Sequence, residues 1–258
     1  MRYARRGPAV LNEVSLDLPE GALIYLRGAN GSGKSTLLRI VAGITRPSAG
    51  SVVGRPPTVG YVPERFPAGL RFSAGEYLTH LGCIRGLRDP APQVRELLER
   101  FGLGPFAALR MANLSKGTTQ KVAAAQAFLA HPPVLVLDES WTGLDSAARS
   151  ALAALVGERQ HAGALILFTD HRGRARDLQP DATYLVAGGD VVPSTGAPAT
   201  TLVELAGLVD GFDASAVAGV VAVDYLPGGL AVRVDPAACD GLLLAALQHG
   251  LSVRRVEP

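Results

Sequence analysis

The sequence predicts an α/β fold with a parallel-sheet core, on three observations. Apolar runs rich in β-branched residues, "ALIYLRG", "VLVLDE" and "ALILFTDH", each end in polar residues. That is the pattern of strands buried on both faces with chemistry at their carboxyl ends. The first run leads into the glycine-rich "GANGSGKST" and then a helical pattern, "STLLRIVAG", stopped by Gly43 and Pro47. At 258 residues, 48% of them apolar, the chain can bury one large core and a smaller addition.

The remaining elements follow in order. After the strand-like "VGYV", the pattern turns helical near Phe66, with "AGEYLTHLGCIRGL" and "PQVRELLERFGL" parted by Asp89-Pro90. Together with the helix opened by "NLSKGTTQKV", this predicts a helical subdomain inserted at about 66–130. Antiparallel strands are expected beside the parallel core, completing a main domain over 1–207. From about 208, two strand-like runs flank Gly228-Gly229. A helix is expected next, with Asp235 as N-cap, Pro236 at its first position and Gly250 past its end, before a last strand "LSVRRV". This predicts a small β-β-α-β appendage over 208–258, with "VPSTGAPATT" as a connector ahead of it.

Charge and composition narrow the function. A net charge of +2 with scattered arginines lacks the basic stripe of a nucleic-acid binder, so no nucleic-acid partner is expected. Runs such as "AVAGVVAV" fall far short of the roughly 18 residues that span a bilayer. The start, "MRYARRGPAVL", has no apolar export segment, and a cytoplasmic location is expected. Cys83 and Cys239 stand far apart and the five histidines have no metal spacing, which fits reduced, structural thiols.

Three motifs carry chemistry. In Gly28-Ala29-Asn30-Gly31-Ser32-Gly33-Lys34-Ser35-Thr36, backbone N–H groups wrap phosphates. Lys34 supplies an ammonium for the β and γ oxygens, and Ser35 a hydroxyl for Mg²⁺. In "VLVLDE", Asp138 sits where a carboxylate holds the water shell of Mg²⁺, and Glu139 where one accepts a proton from attacking water. A lone Asp-Glu pair at a strand end is often a plain surface charge, and the upstream loop favours the functional reading. In "LSKGT", Ser115, Lys116 and Gly117 open a long helix whose free N–H groups form a second anion site. Simple capping by Ser115 accounts for part of that pattern. A second phosphate-facing helix start still asks for a second nucleotide, held by another copy.

These ordered motifs resemble the ATP-binding cassette (ABC) family, over about residues 3 to 193. "GANGSGKS" matches its Walker A motif, "LSKGT" its signature, and "VLVLDE" its Walker B motif with catalytic glutamate. "GLD", ending at Asp145, matches its D-loop, and His171 its switch histidine. The resemblance implies a P-loop NTPase fold of ABC type, with ATP and Mg²⁺ bound. It implies two cassettes facing head to tail, so that Ser115 and Gly117 meet the γ-phosphate of the partner's ATP. Glu139 becomes the general base and His171 a γ-phosphate contact. Tyr3 falls where the family places an aromatic against adenine.

The chain departs from the family pattern in places. "LSKGT" has lysine and threonine where glycine and glutamine are commoner, and Trp141 replaces a proline as a packing residue behind the D-loop. After "VGYVP" the family has a glutamine that touches Mg²⁺, whereas this chain has Glu64, a candidate Mg²⁺ contact whose carboxylate only accepts hydrogen bonds, the alternative being that it caps the following turn. The resemblance further implies an integral membrane permease as partner and a second ABC ATPase subunit, identical or a paralogue. The chain is then peripheral on the inner face of the cell membrane, and the signature variant and tail resemble exporter subunits of the drug-resistance and lantibiotic-immunity kind, which favours export. A soluble ABC ATPase and a P-loop small-molecule kinase are the alternatives; the kinase has no need of "LSKGT" or a D-loop.

Overall fold

The computed structural model describes residues 10–67, 69–170, 178–194, 201–207, 212–236 and 238–257. It divides into two compact units, Met1–Ser194 and Thr195–Pro258.

The first unit is built on a six-stranded sheet. Its strands are β1 (Leu23–Arg27), β2 (Val59–Val62), β3 (Val134–Leu137), β4 (Leu165–Phe168), β5 (Ala182–Ala187) and β6 (Asp190–Pro193), in the order β2-β3-β4-β1-β5-β6. All neighbours are parallel except β5 and β6, which form an antiparallel hairpin. The expected parallel core with antiparallel strands is therefore present. Alternation along the strands divides the core into two layers. Ile24, Leu26, Val136 and Leu167 pack with Leu37, Leu38, Ile40 and Val41 of α1 (Lys34–Val41). Leu23, Leu135, Leu137, Ile166 and Phe168 face the other way, into the layer filled by the remaining helices.

Those helices are α2 (Ala74–Ile84), α3 (Ala91–Arg100), α4 (Lys116–Ala127) and α5 (Ser146–His161). A capping box fixes the start of α2: Ser73 Oγ accepts the Glu76 N–H, and the Glu76 carboxylate accepts the Ser73 N–H at 2.8 Å. The half-buried Arg85 caps the far end of α4, donating to the carbonyls of Gln126 at 2.5 Å and Leu129 at 3.3 Å. The Gln126 amide then donates to the Tyr61 carbonyl of β2. Gly60 lets α4 approach β2 so closely: a β-carbon there would overlap the Ala127 carbonyl and lie 2.6 Å from Leu135 Cδ2.

The second unit is a four-stranded antiparallel sheet of β7 (Thr201–Ala206), β8 (Val220–Leu226), β9 (Gly229–Val234) and β10 (Ser252–Glu257), in the order β10-β7-β9-β8, with α6 (Cys239–Gln248). Leu242 and Ala246 of α6 pack on Val203, Leu205, Leu230 and Val232. Two expectations change here. The break falls at 194/195 and not at 207/208, because "TLVELA" is a strand whose alternate residues Thr201, Val203 and Leu205 are buried and which pairs with both β9 and β10. β7 thus precedes the expected β-β-α-β order. Asp235 does not cap the helix: its N–H is held by the Gly219 carbonyl at 2.8 Å, and its own carbonyl accepts the Ala238 N–H at 2.8 Å. That turn delays the helix to Cys239, with Ala238 at the N-cap.

Gly60→Ala is expected to destabilise the first unit by about 1–3 kcal/mol, the usual cost of overpacking a close contact. Denaturant unfolding followed through Trp141, the only tryptophan, checks this. A midpoint equal to that of the unsubstituted chain would contradict so close an approach of α4 to β2.

Candidate functional site

The carboxyl ends of β1, β2, β3 and β4 lie side by side in the sheet, and the motif residues follow them. The loop between β1 and α1 turns on glycines in the left-handed region, Gly31 at φ 79° and Gly33 at φ 111°. Gly28 is fixed by space, since a β-carbon there would overlap the Val186 carbonyl of β5. Gly33 stands at the N-cap of α1 with no side chain to occupy the helix N–H groups, which leaves the positive end of the helix to a ligand. Lys34 is buried and straps the loop, its ammonium donating to the carbonyls of Gly28 at 2.7 Å and Ala29 at 2.9 Å. Burial lowers its pKa, with Glu139, Asp138 and Glu64 pulling the other way.

Asp138, 1% exposed, is the fixed point of the site. Its Oδ1 accepts the hydroxyls of Ser35 and Thr169, each at 3.1 Å. Its N–H donates to the Val62 carbonyl at 2.9 Å. Burial raises the carboxyl's pKa, against the hydrogen bonds from Ser35 and Thr169. Its second oxygen, Oδ2, is buried and has no hydrogen-bond partner. A buried, orphaned carboxylate oxygen beside a serine hydroxyl is a hard donor set suited to Mg²⁺ and its water shell. Ser35 and Asp138 therefore fit that ion.

Glu139 follows in the left-handed region at φ 53°. A non-glycine residue there costs about 1–2 kcal/mol, and its N–H is held by Thr169 Oγ1 at 2.9 Å. The Thr169 hydroxyl thus fixes both carboxylate-bearing residues. Sequence reasoning missed it; its signal was a threonine ahead of Asp170 in "LFTDH".

Lys34, Ser35, Thr36, Glu64, Asp138 and Glu139 line one cavity of about 610 Å³, with Asn30, Gly31 and Gly33 also on its wall. Glu64 is thereby brought to the same space as the loop and the two acidic residues. Ser115, Lys116, Gly117 and Asp145 are not part of that lining. Ser115 caps α4, accepting the Thr118 N–H at 3.1 Å, and Ser115 and Lys116 are exposed. A β-carbon on Gly117 would stand 3.1 Å from the Gly143 carbonyl. Lys121 of α4 pairs with Asp145 at 2.6 Å, and Asp145 caps α5 through the Ala148 N–H at 2.8 Å. The signature and the D-loop are therefore joined in one chain, through a lysine that the sequence reading left unassigned. Tyr3 and His171 lie outside the described residues.

Comparison with known proteins gives a consistent answer. The family model described as ABC transporter matches residues 11–142. The zinc import ATP-binding protein of Paramagnetospirillum magneticum is 35% identical over 174 residues, 66% of this chain and 65% of that protein. This chain thus spans about two thirds of the length of that relative. The cytochrome c biogenesis ATP-binding export protein of Roseobacter denitrificans is 34% identical over 167 residues, 65% of this chain and 79% of that protein. A solved ATP-binding subunit of an ABC transporter superposes with a TM-score of 0.66 at 29% identity, covering 75% of this chain and 86% of the other. With the phosphate loop, the buried aspartate and the glutamate around one cavity, the chain belongs to the ABC transporter family and carries its ATP-binding, ATP-hydrolysing cassette.

Proposed function

We propose that this chain binds ATP between its phosphate loop and the signature of a second cassette, and that hydrolysis there drives a separate membrane permease. One observation carries the reading: Lys34, Ser35, Asp138 and Glu139 share a cavity, while the helix start at Ser115–Gly117, exposed at Ser115 and Lys116, stands outside it. A second anion site away from the first is what a two-copy sandwich needs. Lys34 and the loop N–H groups hold the β and γ phosphates, and Ser35 and Asp138 hold Mg²⁺. The ion, when bound, neutralises charge on the phosphate oxygens. Glu139, fixed through its N–H, takes a proton from the attacking water. His171 and Tyr3 belong to the same proposal, as γ-phosphate and adenine contacts, and Asp145 as the D-loop residue facing the second cassette.

The permease partner is supported by family membership and by the lack, among the described residues, of a helix long and apolar enough to cross a membrane. The helical subdomain and the exit of β2 at Glu64 serve as the docking surface, and the chain works at the inner face of the membrane. Export has a parallel in the cytochrome c biogenesis export protein, and the zinc import protein shares the same cassette with the opposite direction. Export is the direction that the signature variant and tail support.

Lys34→Ala is expected to abolish measurable ATP binding, because it removes the one ammonium of the cradle. A nucleotide titration that leaves affinity unchanged would contradict the cradle. Glu139→Gln is expected to keep ATP bound, stop turnover and convert monomer to dimer in sedimentation with Mg-ATP. A variant that binds ATP yet remains monomeric at high concentration would count against the sandwich. Thr169→Val leaves the Glu139 N–H and Asp138 Oδ1 each short of a partner, at a cost of roughly 1–3 kcal/mol. Turnover should fall at least tenfold with little change in ATP affinity; an affinity loss as large as the loss in turnover would place Thr169 in binding instead.

A further inference from the structure

Glu64 gives the phosphate cradle an unusual charge balance. Among the described residues that line the cavity there is one ammonium, Lys34, and three carboxylates, Glu64, Asp138 and Glu139. Asp138 of this wall is 1% exposed, and its buried Oδ2 has no hydrogen-bond partner. Glu64 reaches the site from the exit of β2, two residues beyond Val62, whose carbonyl accepts the Asp138 N–H at 2.9 Å. The backbone thus holds Glu64 close to the buried aspartate. Glu64 and Lys34 line the same cavity.

A cradle with more carboxylates than cations is poorly matched to a bare triphosphate. It becomes matched when a divalent cation enters with the nucleotide, since the cation cancels part of the charge on both sides. We propose that Glu64 makes nucleotide capture conditional on a divalent cation, admitting the metal–nucleoside triphosphate complex and repelling the metal-free triphosphate. Glu64 is then a specificity residue for the charge state of the ligand. The proposal rests on the reading of the cavity as a nucleotide site.

The physical scale is set by one unit charge at a partly solvated cavity mouth, which changes an equilibrium by about three- to tenfold. Glu64 is exposed, so its replacement is expected to leave folding intact. Calorimetric titration of ATP into the full chain, once with Mg²⁺ and once with EDTA, reads the effect without any turnover. For Glu64→Gln the affinity for metal-free ATP should rise by about three- to tenfold while the Mg-ATP affinity changes less, so the ratio of the two narrows. Glu64→Asp keeps the charge and should retain the wide ratio. Ratios that coincide for the unsubstituted chain and Glu64→Gln, or a ratio in Glu64→Asp that narrows as in Glu64→Gln, would overturn the proposal. An unsubstituted chain that takes up no Mg-ATP at all would overturn the nucleotide reading itself, and the proposal with it.

Discussion

The site depends on one buried carboxylate. Asp138 Oδ1 draws in the hydroxyl of Ser35 at the start of α1 and that of Thr169 at the end of β4, and its N–H is tied to Val62 at the end of β2. A carboxylate taken out of water is costly unless its lone pairs are matched, and these donors offset part of that cost. Its remaining oxygen is buried without a hydrogen-bond partner. The residues that stabilise Asp138 thereby fix the spacing between the phosphate loop, Glu139 and the β2 exit. A parallel sheet suits this arrangement, because all four strands end on the same edge.

Strain is placed beside the buried aspartate. Glu139 keeps a left-handed backbone although a glycine would be more comfortable, and the Thr169 hydroxyl holds its N–H in that geometry. Nearby, the aromatic rings of Tyr25, Phe168 and Trp141 form a column, with centroids 5.0 Å apart for the first pair and 5.7 Å for the second. Trp141, 1% exposed, is the packing residue behind the turn that carries Glu139 and Gly143. A rigid apolar backing of this kind keeps that turn from relaxing.

The signature end of α4 is held by different means. Lys121–Asp145 and the close approach of Gly117 to Gly143 join α4 to the turn before α5. At its other end, α4 is tied through Gln126 to Tyr61 on β2. One helix therefore spans from the exposed Ser115 to the strand that leads to Glu64. In the second unit the packing logic is independent, with a single helix covering one face of a four-stranded sheet.

Much of this was legible in the sequence because it is local. The glycines of the phosphate loop, the apolar strands and the cap at Ser115 are each set by a few adjacent residues, and they lie where the pattern put them. Gly33 and Gly31 were readable because only glycine takes their backbone angles cheaply. What the sequence did not reveal is non-local. "TLVELA" became a strand of the second unit because β9 and β10 pair with it, and Asp235 was drawn from its capping role by Gly219, 16 positions earlier in the chain. Thr169 and Lys121 acquired their roles only when β4 met β3 and α4 met the turn before α5. The sequence by itself determined which groups can bind phosphate and cation, since that is a matter of residue type and local spacing. Only the tertiary structure decided which of them share a cavity, because carboxylates as far apart in the chain as Glu64 and Asp138 meet through sheet pairing alone.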